Sequence, residues 1–293
     1  MICGVRGEVL PVERIPQFRR GRVSFEEKDG DGDVEKEEEE IKNYDLLVPN
    51  IELATGCAPL FLPGVPPSTL AQSLSTRVYS LLVSGGRVVD VGDLRIWKTS
   101  SAGVEEKGKG KGKGKRGVEG GDDDGMELDR EGEEEDGEKP ELVGYWVLYI
   151  DLLFVSFDGN PFDPAWTALM AALRDTKLPV ARWDVDREAV VCSRTERKPL
   201  NIRGLPLACT AAVFLEKEYG EPGEGRHWIL LDPDRLEESL CREAITMVVD
   251  CSSGETRLRA IEKHGGTVVG RELIRGYAAV AERRWREVRK AMD

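Results

Sequence analysis

The sequence predicts a mixed fold of the α/β or α+β class, and three observations carry that prediction. Short apolar runs with strand-like alternation recur along the chain, helical stripes interrupt them, and neighbouring strand-like runs sit close enough for several antiparallel pairs. At 293 residues, 40% of them hydrophobic, the chain can supply the core such a fold needs.

The opening "MICGVRGEVLPVE" alternates apolar and polar residues up to Pro11 and reads as a strand. Residues 26–42, "EEKDGDGDVEKEEEEIK", are low in complexity and read as a solvated acidic loop. "YDLLVPNIEL" resumes strand character, and the four prolines of "PLFLPGVPPS" impose an extended turn. A helix follows: Thr69 and Gln72 have capping-box spacing, and Leu70, Leu74, Val78, Leu81 and Leu82 recur at helical intervals until Gly85 and Gly86. Residues 87–98, "RVVDVGDLRIWK", read as a short strand pair. Residues 101–140 are too polar and Gly-rich to bury the surface that would offset their ordering entropy, and read as a disordered charged insertion.

Beyond the insertion, "GYWVLYIDLLFVSFDGN" is the most hydrophobic strand. Trp166, Leu169, Met170 and Leu173 then mark a helix at i, i+3, i+4 and i+7. "LPVARWDV", "EAVVCS", "ACTAAVFL", "HWILL" and "AITMVVD" read as strands. A final helix from about 270 to 292 carries Leu273, Tyr277, Val280, Ala281, Trp285, Val288 and Met292 on one stripe. Trp166 and Trp285 are expected in core or interface, because both lie on apolar stripes.

Charge is unevenly placed. The net −13 is the sum of −7 in residues 26–42 and −6 in residues 105–139, so the rest is balanced at 31 acids against 31 bases. The six cysteines form no CxxC pair and fit a reducing compartment. Cys57 and Cys209 read as small buried hydrophobes. Two histidines leave little material for a His-rich metal site or a His-dependent triad. No apolar run reaches the roughly 18 residues that span a bilayer, so no membrane partner is expected.

"LLDPDRLEES" (230–239) places two carboxylates, Asp232 and Glu238, six apart where a strand ends, a pattern able to hold a metal or move a proton. Capping or solvating a strand-to-helix turn is the plainer role for both. "WVLYIDLLFVSFDGNPFDPAWTALMAALRDTKLP" (146–179), "LNIRGLPLACTAAVF" (200–214) and "LLDPDRLEESLCREAITMVVD" (230–250) resemble, in order, successive stretches of the ribonuclease PH (RNase PH) superfamily. The DGN turn, the DP..EE pattern and "NIELATGCAPLFLPGVPPSTLAQSLSTRVYSLL" (51–82) resemble its non-catalytic subgroup, the ring subunits of the eukaryotic RNA exosome.

The resemblance implies an RNase PH-like fold, of the ribosomal protein S5 domain 2-like type, in two parts: 1–100, carrying the acidic insertion 26–42, and 141–293, separated by 101–140. Family members carry a DGR element and first strands ahead of the strand that "MICGVRGEV" resembles. Their absence here points to a truncated coding sequence or an incomplete first sub-sheet.

In active members the DG turn continues G-T-R-T, and its arginine grips phosphate. Here Asp158, Gly159 and Asn160 lead to Pro161, Phe162 and Asp163, so Phe162 stands at the arginine position and Asp163 brings a repelling carboxylate. Asp232 matches the first of the two active-site aspartates, and Glu238 replaces the second. Active relatives carry several arginines on the helix after the proline turn, where this chain has Arg77 alone. The expectation is a degenerate site with no catalytic residue, no resident metal and no cofactor.

Weak candidates for RNA contact are Arg77 and the tract Lys107, Lys109, Lys111, Lys113, Lys115 and Arg116. The resemblance further implies a ring built from heterodimers, with ribosomal RNA-processing protein 46 as partner, S1/KH cap subunits above, and single-stranded RNA in the channel. It places such a protein in nucleus, nucleolus and cytoplasm. Alternatives are an active phosphorolytic 3′ exoribonuclease and a free-standing RNA-binding module using the KG tract.

Overall fold

A computed structural model of the chain describes residues 1–16, 32–62, 64–84, 88–98, 141–215, 227–241, 243–266 and 269–292. The proposed insertion 101–140, with its KG tract, lies outside the described residues, as does 17–31.

The spine of the first sheet is the long strand β4 (Glu141–Leu153), paired along both edges, whose burial is continuous over residues 144–148 and alternates beyond. β1 (Ile2–Pro11) runs antiparallel along one edge, and its burial alternates as its sequence does. On the other edge, β2 (Leu47–Glu52) lies parallel to the second half of β4 and β3 (Arg95–Lys98) antiparallel to the first half. The second sheet, in order β10-β9-β7-β8, is wholly antiparallel: β7 (Leu207–Leu215), β8 (His227–Leu231), β9 (Ala244–Asp250) and β10 (Arg257–His264). β5 (Lys177–Asp184) and β6 (Ala189–Pro199) form a largely exposed hairpin.

α2 (Thr69–Ser84) packs on β2, and α4 (Phe162–Asp175) packs on both β1 and β7, so it joins the two sheets. The far face of the second sheet is covered by α6 (Arg271–Met292), which buries Tyr277, Ala281 and Trp285 of its apolar stripe. Trp166 of α4 donates its indole N–H to the Pro206 carbonyl at 2.8 Å, and Trp285 of α6 donates to the Leu205 carbonyl at 2.6 Å. The two helices thus satisfy adjacent carbonyls of one loop, and both tryptophans are core. Cys57 and Cys209 are buried.

Three local expectations are corrected. The solvated loop over 26–42 gives way from Gly32 to the helix α1 (Gly32–Tyr44), which buries Glu40, Ile41 and Tyr44. Glutamate is a good helix former, and Glu40 meets the Arg95 guanidinium of β3, which compensates its burial. Among the described residues of this stretch, 88–98 do not pair with each other. Val89 bridges Ile202, Val91–Leu94 form the one-turn helix α3 under an Asp90 cap, and β3 pairs with β4. Ser68, one residue before Thr69, caps α2 by accepting the Ala71 N–H, while Gln72 donates back to Pro67.

Candidate functional site

The DGN turn between β4 and α4 meets the turn between β8 and α5 (Arg235–Leu240). Gly159 has φ +91°, and a Cβ there would stand 2.5 Å from the Pro233 carbonyl oxygen, so glycine is required for the approach. Asn160 (φ +36°) and Asp232 (φ +51°) also take left-handed conformations, which their short polar side chains tolerate.

Asn160 is the hub. Its backbone N–H donates to Glu238 Oε1 at 2.8 Å, and its Nδ2 donates to Asp232 Oδ1 and Asp163 Oδ2, each at 3.0 Å. Three carboxylates thus surround one amide that is 3% exposed. Asp163 accepts further bonds from the Thr210 N–H at 2.7 Å and the Thr210 hydroxyl at 2.6 Å, and Thr210 Oγ1 lies 3.0 Å from Thr246 Oγ1. Burial pushes the Asp163 carboxyl above its usual range despite the Thr210 and Asn160 hydrogen bonds, and Asp232 pushes the same way. Burial likewise raises Glu238, against the Asn160 N–H that favours its charge.

Asp232 and Glu238 do not cap α5. Asp234 does, in a capping box with Glu237. The two residues singled out by spacing instead tie the DGN turn to the α5 turn. Their oxygens serve Asn160, and among the described residues no group of three His, Cys, Asp or Glu side chains is placed to hold a metal ion. As arranged, the donor set does not fit a metal ion.

Phe162 is 3% exposed, with the Arg77 guanidinium 4.0 Å over its ring centroid. Arg77 also donates from Nε to Glu262 at 2.7 Å and from Nη2 to Thr246 at 3.2 Å. Arg77 is thus neutralised and stacked within the fold. Lys107, Lys109, Lys111, Lys113, Lys115 and Arg116 lie outside the described residues. The DGN motif marks Asn160 in the sequence without giving it a role, and no local motif marks Thr210, Thr246 or Glu262.

No family model matches the chain. It is similar to the exosome complex component rrp43 of Schizosaccharomyces pombe, 29% identical over 243 residues, or 83% of this chain and 68% of that protein. It is also similar to the exosome complex component Rrp42 of Methanothermobacter thermautotrophicus, 30% identical over 139 residues, or 47% of this chain and 45% of that one. The chain thus spans about half the length of this archaeal relative. Among solved structures, a chain of the Archaeoglobus fulgidus exosome with RNA bound to the active site matches with a TM-score of 0.56 and 21% identity, covering 99% of this chain and 78% of that one. That likeness shows the fold. The relatives, the fold and the order of motifs agree: the chain has an RNase PH-like fold and is similar to the exosome components rrp43 and Rrp42.

Proposed function

We propose that the chain is a non-catalytic structural subunit of the RNA exosome ring, supporting 3′-to-5′ RNA processing by helping to enclose the channel that threads single-stranded RNA. One observation carries the reading. Phosphorolysis needs a fixed cationic fork for phosphate, and here Phe162 fills the fork's place while Arg77 is spent on Glu262, Thr246 and the Phe162 ring. The three carboxylates next to it would repel a phosphate rather than bind it.

The partners in this reading are RNase PH-like subunits such as ribosomal RNA-processing protein 46, with S1/KH cap subunits, in nucleus, nucleolus and cytoplasm. Residues 1–100 and 141–293 act as one domain. This is supported by β4, which pairs with β1, β2 and β3 from the first part. Coexpression tests the proposal. The chain alone should aggregate, and with its partner it should elute as one complex, unchanged by Asp232→Ala with Glu238→Ala. A stable lone chain that trims RNA 3′ ends with phosphate and magnesium would overturn it.

A further inference from the structure

The chain's acidity makes α6 conspicuous. In "RELIRGYAAVAERRWREVRKAM" seven bases face three acids, a net charge of +4 on one helix of a chain that carries −13. All seven bases are exposed. At 100° per residue, Arg271, Arg275, Arg283, Arg286, Arg289 and Lys290 fall within ~120° of arc, directed away from the buried Tyr277, Ala281 and Trp285. The stripe runs ~28 Å along the helix axis at ~1.5 Å per residue.

We infer that the exposed face of α6 binds the phosphate backbone of single-stranded RNA without regard to sequence. Charge complementarity selects a polyanion, and two further observations choose among polyanions. None of the exposed large hydrophobic residues lies on α6, so the face lacks the apolar anchors around which a protein interface is built. The apolar side of the helix is spent on the second sheet, with Tyr277 donating to the Cys209 carbonyl, so α6 cannot lay it into a lipid surface. Six of the seven bases are arginine, whose planar fork fits phosphate oxygens.

The ion pairs are local and exchangeable. Arg275 pairs with Glu272, Arg284 with Glu287 and Arg286 with Glu282, all within α6 and within four residues, where such exposed pairs contribute little. Arg271, Arg283 and Lys290 make no ion pair with any described residue. The stripe's length suits the lower end of single-strand site sizes, about four nucleotides. The choice of RNA rests on the proposed function, while the basic face itself rests on α6 and requires neither ring assembly nor a catalytic site.

The test is fluorescence anisotropy of a labelled 20-nucleotide oligouridylate against the full chain, purified with its partner, over a salt series. Arg283→Ala with Arg286→Ala and Lys290→Ala should weaken binding by at least ~10-fold near 0.1 M salt and flatten the log–log salt slope by ~2, at ~0.7 per phosphate contact. Poly-glutamate of equal charge should compete poorly. Charge reversal at Arg271 and Arg275 supplies a second variant should the first misfold. Unchanged affinity and slope in a folded variant would overturn the inference, as would poly-glutamate competing as well as RNA, which would assign the face to an acidic protein.

Discussion

Asp163 and Asp250 are desolvated carboxyls that shift in opposite directions, and the contrast can be measured. Burial raises Asp163, so its favourable contribution is complete below the ordinary value of 3.8 and is lost as pH rises through its folded value. Asp250 is also pulled up by burial, but the Ser252, Arg259 and Leu205 hydrogen bonds bring it below 3.8, so its contribution is present above that value and lost as pH falls. Asp163→Asn is nearly isosteric and should gain stability relative to the parent chain as pH rises above about 4. Asp250→Asn leaves Arg259 without its charge partner and should cost about 3 kcal/mol at neutral pH, narrowing in acid. Urea midpoints from pH 3 to 7 check both, and parallel profiles for the two variants would contradict the assignment. An arginine at position 162 should be rejected for a related reason. Phe162→Arg buries a second guanidinium against Arg77 and should destabilise by ~3 kcal/mol or more, with no gain of phosphorolysis.

Elements were legible wherever their own periodicity decided them, and hidden where a distant residue did. The stripe from Leu273 to Met292 announces α6, and the alternation of residues 2–11 announces β1. α1 was hidden because a glutamate run reads as solvated. Its place rests on Ile41, Tyr44 and the Glu40–Arg95 pair, whose members are 55 residues apart. Arg95→Ala should therefore cost about 3 kcal/mol by stranding Glu40, and adding Glu40→Ala should recover part of it, as a double-mutant cycle in urea would read. Additive losses would show that the pair does not anchor α1. The candidate site divides in the same way. Asp232, Glu238 and Phe162 were legible because the motifs occur in order. The links from Asp163 to Thr210 and from Arg77 to Glu262 span 47 and 185 residues and become neighbours only through the second sheet. The role of the carboxylates differs accordingly, from capping or solvating one turn to clamping two turns.

At the scale of the whole molecule, α4 joins the two sheets while the clamp and the Arg77 stack tie the candidate site into that junction. Deleting residues 105–139 should leave partner binding unchanged in copurification, whereas loss of the complex would assign the insertion an assembly role. The central claim is that this chain lends shape and not chemistry. The most direct measurement is phosphate-dependent release of nucleoside diphosphates from a labelled RNA 3′ end by the purified chain with its partner, comparing the parent sequence with Asp232→Ala and Glu238→Ala. The account predicts no release attributable to this chain and identical traces for all three proteins. Magnesium-dependent release that disappears in either variant would contradict it.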